Sequence, residues 1–296
     1  MNRLLSPLEA ALPFLEGRSF ADWKEEFDSA GYVIFKNVLD GDQLRAIRGA
    51  LAPHLQTGKT GRNDFEGLST RRVYALLAKS PVFADLVVHP LALAFAEAEL
   101  GDTCLLSACL AINLLSGETV QPWHYDDGSI SAPRPREAYG LSAFWAIDAT
   151  TETNGATEII PGSHLWPEQH LQTGGVRPSD FSNSNIRDID EDPGARPDAI
   201  KMVMPEGALA LMKGTLWHRG GANKSSGSRL IITPQYCVGW ARQIENMTLA
   251  VPPEIAAHLP ERAQKLLGYS IYPPFMGYVN GVHPSRLFPS ESASRA

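Results

Sequence analysis

Basic side chains are in the minority in this chain, with 26 lysines and arginines against 33 aspartates and glutamates and a net charge of −7. So acidic a protein is a poor candidate for general nucleic-acid binding, which depends on Lys and Arg neutralising phosphates. Cysteine is scarce: Cys104, Cys109 and Cys237 are the only three, and none lies in a Cys-x-x-Cys pair. That excludes a disulfide framework and suits reduced thiols in the cytosol. Long apolar runs are missing too. The longest, 104–115, is interrupted by Ser107 and Asn113 and falls short of the roughly 18–20 residues that span a bilayer. The N-terminal stretch MNRLLSPLEAALPFLEG lacks a clean signal-peptide core, and the terminal SESASRA is not the peroxisomal tripeptide. The expectation is a cytoplasmic protein with neither a membrane nor a nucleic-acid partner. None of these features specifies an oligomeric state.

What is present is ordinary globular material: 44% hydrophobic and 20% charged residues over 296 positions, without internal repeats. The N-terminal part, 1–103, reads as helical. Ser19 with Asp22 three residues on forms a capping pattern ahead of the apolar stripe Phe20, Trp23, Phe27, and Gly31 ends that helix. Residues 32–35 form a short apolar strand. Asp40 with Gln43 repeats the cap before Leu44, Ile47 and Leu51, and Pro53 predicts an end near Ala52. Ser80-Pro81 and His89-Pro90 open two further helices, the second running to Gly101.

From Cys104 the texture changes to short apolar runs between turn residues: 104–115, 139–148, 156–160, 200–204, 208–212, 215–218 and 229–238. Many short strands with Gly and Pro turns predict an all-β sandwich or barrel. The chain thus reads as a single domain, 1–296: a helical front, a β core over 104–240, and an extension over 241–296 with one helix at 253–267. The polar stretch 173–197 is too long for an ordinary loop and reads as an insertion that is either a lid or a surface excursion.

The sharpest chemical feature is Gln121-Pro122-Trp123-His124-Tyr125-Asp126-Asp127. On a strand, residues two apart share a face, so His124 and Asp126 can converge on one metal. Taken alone the His-x-Asp pair is weak, because a solvated Asp beside a half-buried His looks the same. Leu216-Trp217-His218-Arg219-Gly220-Gly221 adds a third candidate, His218, on a later strand. Two imidazoles and a carboxylate with open positions suit a non-haem Fe(II) oxygenase; a hydrogen-bonded core histidine is the competing explanation. Arg229 follows His218 by eleven residues across the turn-like 220–228 (GGANKSSGS). A hairpin there would bring the strand RLIITPQYC beside that of His218. An inward-facing arginine is costly to bury unless an anion meets it, and a metal-chelating dicarboxylate would supply one; a surface arginine near a flexible turn is the competing explanation.

Together these residues resemble the Fe(II)/2-oxoglutarate-dependent dioxygenases of the phytanoyl-CoA dioxygenase (PhyH) superfamily. The segment from Asn154 to His164 (NGATEIIPGSH) is similar to that family's NGxxxxxPGSH stretch. Gly31-Tyr32-Val33-Ile34 with the following DGDQL, and WARQIEN at 240–246, are also similar to family segments. The resemblance covers roughly 20–285. It implies a mainly β fold with flanking helices and a double-stranded β-helix (jelly-roll, cupin-like) core. It implies Fe(II) held by His124, Asp126 and His218, with 2-oxoglutarate and O2 as cosubstrates, Arg229 on the distal carboxylate, and Gln121 and Trp145 beside the cosubstrate. Trp123, Tyr125 and Asp127, which alternate with the ligands, are candidates for the substrate pocket or for packing behind it.

The implied reaction is hydroxylation of an unactivated C–H bond of a small, apolar metabolite with release of succinate and CO2. Desaturation, epimerisation or ring formation would use the same site. Asp126 itself argues against halogenation, since related halogenases carry a small residue there. Two other classes compete: a non-catalytic jelly-roll binding protein, and a Zn or Mn hydrolase, which has no need of Arg229. Met202, Met204, Met212, Phe275 and Met276 hint at an apolar pocket, though methionines at strand spacing also build cores. His164 reads as structural, because Gly175, not an arginine, stands eleven residues after it. His54, His89, His170, His258 and His283 are assigned no role.

Overall fold

The computed structural model describes residues 5–56, 59–167, 188–192 and 194–289. The helical front comprises α1 (Pro7–Ala11), α2 (Phe20–Ala30), α3 (Gly41–Gln56), α4 (Val82–Val87) and α5 (Pro90–Leu100). The capping pattern at α2 works as its sequence predicts. Ser19 Oγ accepts from the Asp22 N–H, the Asp22 carboxylate accepts from the Ser19 N–H, and Trp23 and Phe27 are buried. Gly31 stops the helix at φ +84°, where a Cβ would lie 2.5 Å from His164 Nδ1. α3 runs on through Pro53 to Gln56 rather than ending near Ala52. A proline in the last turn has little helix left to break.

Among the described residues nine strands form two antiparallel sheets. They are β1 (Tyr32–Phe35), β2 (Thr70–Val73), β3 (Leu105–Leu114), β4 (Gly140–Ala146), β5 (Thr157–Ile159), β6 (Ile200–Lys201), β7 (Leu209–Lys213), β8 (His218–Gly220) and β9 (Arg229–Cys237). The larger sheet has the order β1-β7-β4-β9-β3-β2, and the smaller β6-β5-β8. β2 was not anticipated; TRRV carries too few apolar residues to announce a strand and owes its place to pairing along β3. The run 215–218 is mostly turn, with the strand starting only at His218.

Strand parity divides the core. Leu141, Ala143 and Trp145 of β4, Leu209 and Leu211 of β7, and Leu230, Ile232 and Tyr236 of β9 join one apolar cluster with the helices. Their alternates Phe144, Ala146, Ala210, Met212 and Ile231 form a second cluster with Ile159, Met202, Met204 and Leu216. The two sheets pack together through this second cluster.

Beyond β9 the expected single helix at 253–267 is split into α7 (Pro253–Ala256) and α8 (Glu261–Leu267), preceded by α6 (Met247–Ala250). Pro260 supplies the break, since it cannot donate to a continuing helix. Cys104, Cys109 and Cys237 are free and buried. Among the described residues no helix is long and apolar enough to cross a membrane.

Candidate metal and anion site

His124 and Asp126 do not sit on a regular strand, as their spacing had predicted. Residues 121–124 run extended along the edge of β8. The Gln121 N–H donates to Gly220 O (2.8 Å), and His124 and His218 exchange both backbone hydrogen bonds (3.0 and 2.8 Å). Asp126 then opens the 3-10 turn Asp126–Ser129. This reciprocal pairing holds the two imidazoles with centroids 4.3 Å apart. One ligand atom from each of His124, Asp126 and His218 lies within 4.8 Å of the others, the only such group of three or more His, Cys, Asp or Glu among the described residues.

Each ligand atom has been left free by a contact elsewhere on its side chain. His124 Nδ1 meets Pro122 O at 2.9 Å, and His218 Nδ1 meets Leu216 O at 3.0 Å. A ring nitrogen facing a carbonyl carries the proton, so both Nε2 atoms present lone pairs. Asp126 Oδ2 accepts from Ser142 Oγ (2.6 Å) and Gln235 Nε2 (3.1 Å), while Oδ1 faces His218 Nε2 at 3.6 Å. Burial, with His218 beside it, pulls the His124 pKa down to about 3, which keeps the imidazole neutral. Two imidazoles that each present Nε2, together with a carboxylate, suit a divalent transition metal such as Fe(II).

The expected hairpin between His218 and Arg229 does not form. β8 belongs to the smaller sheet and β9 to the larger, so 221–228 crosses between sheets. Arg229 nevertheless lines the same cavity, of about 510 Å³, as the three ligand side chains. It is 2% exposed. Its Nη2 donates to Gly155 O, while Nε and Nη1 are buried without a partner. Burial draws its pKa down to about 10. Asp148, the carboxylate whose charge bears on it, is already engaged by the Leu230 N–H (2.9 Å) and by Arg48 (3.1 Å). A buried guanidinium with two free donor atoms lacks a carboxylate, and a bound dicarboxylate would provide it.

The remaining candidates separate. Gln121 lines the cavity, but both ends of its amide are occupied, by Phe65 O (2.7 Å) and the Gly220 N–H (2.9 Å); it ties the ligand segment to β8. Trp145 lies on the other face of β4, fully buried, with His89 at 5.1 Å between ring centroids. It is a core residue, because the parity that turns Ser142 to Asp126 and Phe144 into the cavity sends Trp145 to the helices. Trp123 is buried beneath Arg219 (4.6 Å) and donates to Gly194 O (2.7 Å). Asp127 accepts from the Tyr139 N–H (2.7 Å) and Arg136 Nη1 (3.2 Å). Neither reaches the cavity; of the three alternating residues only Tyr125 does.

Met202, Met204 and Met212 fill the second core cluster, and Phe275 and Met276 are exposed, so none of the five lines the cavity. His164 is structural, its Nε2 on Asp28 O at 2.8 Å. Its neighbour Ser163 accepts the Trp217 N–H at 3.0 Å and so steadies the approach to His218. Most of 173–197 lies outside the described residues. At its described end Asp192 pairs with Arg219 (2.6 Å), the residue after His218.

Sequence reading missed Ser142, Gln235 and Arg72. Ser142 and Gln235 are cross-strand partners, each a polar break in an apolar run. That was a visible signal, but nothing in the chain says that both face Asp126. Arg72 lines the cavity on β2 and donates to Glu66 O (2.9 Å) and Phe65 O (3.2 Å).

The sequence profile of the phytanoyl-CoA dioxygenase (PhyH) family matches residues 27–231. The chain is 27% identical over 261 residues to dioxygenase trt7 of Aspergillus terreus (strain NIH 2624 / FGSC A1156), covering 81% of this chain and 80% of that protein. Among solved structures it is similar in fold to the non-heme alpha-ketoglutarate-dependent carbocyclase SnoK from nogalamycin biosynthesis. There the TM-score is 0.57, identity 19%, and coverage 75% of this chain and 85% of SnoK. The epimerase SnoN from the same biosynthesis gives a TM-score of 0.56 at 19% identity, covering 74% of this chain and 82% of SnoN.

Proposed function

This chain belongs to the phytanoyl-CoA dioxygenase (PhyH) family of Fe(II)- and 2-oxoglutarate-dependent enzymes, and from that premise we propose that it hydroxylates an unactivated C–H bond of a small, largely apolar metabolite. It does so in the cytoplasm, with one domain built on a double-stranded β-helix. His124, Asp126 and His218 hold the iron, and Arg229 holds the distal carboxylate of 2-oxoglutarate. The observation that carries the assignment is a buried, two-thirds unpartnered guanidinium in the same cavity as a converging His, Asp and His.

Bound iron supplies the oxidising chemistry, with O2 as oxidant and 2-oxoglutarate as the two-electron reductant that leaves as succinate and CO2. The protein's share is positional. The Pro122 and Leu216 carbonyls orient both imidazoles. Ser142 and Gln235 hold the carboxylate of Asp126 with one oxygen free. Arg229 fixes the cosubstrate by a charge-assisted pair in a dry site. Ile231, Phe144, Leu110 and Ile112 supply apolar walls that exclude water. The fold likeness to a carbocyclase and an epimerase favours ring formation or epimerisation as the second reading, since these share the oxidant and differ in substrate pose.

The test is anaerobic. Fe(II) and then 2-oxoglutarate are added to metal-free protein, and the weak visible charge-transfer band of the chelate is recorded for wild type, His218→Ala and Arg229→Ala. The band should appear in wild type, vanish in the first variant, and need far more 2-oxoglutarate in the second. Iron binding without a band would overturn the cosubstrate assignment and favour a hydrolase. No metal binding at all would favour a silent binding protein.

A further inference from the structure

We propose, building on that reading of the cavity, that Glu245 anchors the substrate by accepting a hydrogen bond from a hydroxyl or amine carried on an otherwise apolar carbon skeleton. Two positions along β3 define the cavity's length. Leu114 is the cross-strand partner of Arg229, and Ala108 that of Gln235, which donates to Asp126. Six residues of strand separate those levels, about 20 Å. Glu245 belongs to the second end: its N–H donates to Ser107 O at 2.8 Å, and the Ile244 N–H donates to Ser107 Oγ at 2.9 Å. With the cosubstrate's anchor at the Leu114 end, the space left for substrate is the end that Glu245 lines.

Glu245 is chemically unfinished. Its Oε2 is buried with no hydrogen-bond partner. The N–H groups of Cys109 and Ala75 face the carboxyl, but burial outweighs them and raises its pKa. The charge of Lys79 bears on it, but no Lys or Arg among the described residues forms an ion pair with it. A buried acceptor left without a donor is costly, and a donor on the substrate would recover that cost. Around it Tyr74, Ala108, Leu110 and Ile244 offer carbon surface.

Three probes share one rigid skeleton: 1-adamantanol, 1-adamantanamine and 1-methoxyadamantane, which lacks a donor. Their dissociation constants are measured by ligand-observed NMR on the full chain, with and without Fe(II) and 2-oxoglutarate under anaerobic conditions. In wild type the alcohol and amine should bind about tenfold more tightly than the ether, the worth of one good hydrogen bond. E245Q, nearly isosteric, should keep the alcohol and weaken the amine about tenfold. E245L should bind the ether at least as well as the alcohol; if E245L does not fold, E245Q decides alone. Equal affinities in wild type, no binding of any probe, an undiminished amine in E245Q, or a donor preference surviving in E245L would each overturn the proposal. A missing charge-transfer band with the probe pattern intact sinks the cosubstrate assignment only; a normal band with a flat pattern sinks only the role of Glu245.

Discussion

The two faces of β4 and β9 are made by the same residues in alternation, yet they obey different rules. On the helix side Leu141, Ala143, Trp145, Leu230 and Ile232 are all apolar and all buried. On the other side Arg229, Thr233 and Gln235 line a cavity between apolar neighbours, and Ser142 donates to Asp126. The first face stores stability and carries no chemistry. The second gives up apolar burial, and in Arg229 keeps a buried cation with unmet donors. Stability and function are thus separated by a single residue step along one strand.

Substitutions on each face test that separation. The largest effect on folding belongs to the helix side. Trp145→Ala should cost about 3–5 kcal/mol, read as a lower denaturant midpoint, and leave the 2-oxoglutarate affinity of the folded fraction unchanged. A weakened cosubstrate affinity would return Trp145 to the site. Arg229→Met should do the reverse. It removes one partner of a buried charge pair, so 2-oxoglutarate binding should fall by about 2–5 kcal/mol. The ligand-free protein should be as stable as wild type or more so, because an orphaned cation is gone; calorimetric titration and chemical denaturation check the two halves.

How much of this was legible in the chain depended on what each residue's meaning rests upon. The α2 cap, Gly31, the 32–35 strand and the apolar runs at 104–115, 139–148 and 229–238 are local patterns, and the structure carries them where the sequence put them. His124, Asp126, His218 and Arg229 were singled out from residue type and spacing, and they do share a cavity. Two routes to that convergence were wrong. The ligand pair sits on an edge segment and a turn, and 220–228 changes sheets instead of turning back. Trp145 was misplaced because its neighbourhood alone does not reveal parity. The register does: Trp145 pairs with Ile232, and Arg229 lies on the other face from Ile232. The shared target of Ser142 and Gln235 was hidden for the same reason, since their role arises only once β4 and β9 are side by side.

Smaller effects sharpen the comparison. Ser142→Ala should weaken Fe(II) affinity by about 10–100-fold through the freed Asp126 oxygen, with little change in the unfolding midpoint; equilibrium dialysis against a chelator measures it. Ser19→Ala, far from either face, should cost about 1 kcal/mol of stability by removing the α2 cap and leave metal and cosubstrate binding untouched.

The passage from β8 to β9 has a consequence for recognising this arrangement elsewhere. Asn223 is wholly buried and ties the crossing in place, with Nδ2 donating to Leu114 O (3.1 Å) and Gly227 O (2.9 Å). Between those anchors, residues 224, 226, 227 and 228 are exposed, and an exposed loop tip absorbs inserted residues cheaply. The eleven-residue interval from His218 to Arg229 is therefore a count along the chain and not a length in space. A homologue with a longer or shorter excursion here would still deliver its guanidinium to the same spot. A search keyed to the interval would pass it over, whereas one keyed to a pinned asparagine followed by an arginine opening an apolar strand would find it.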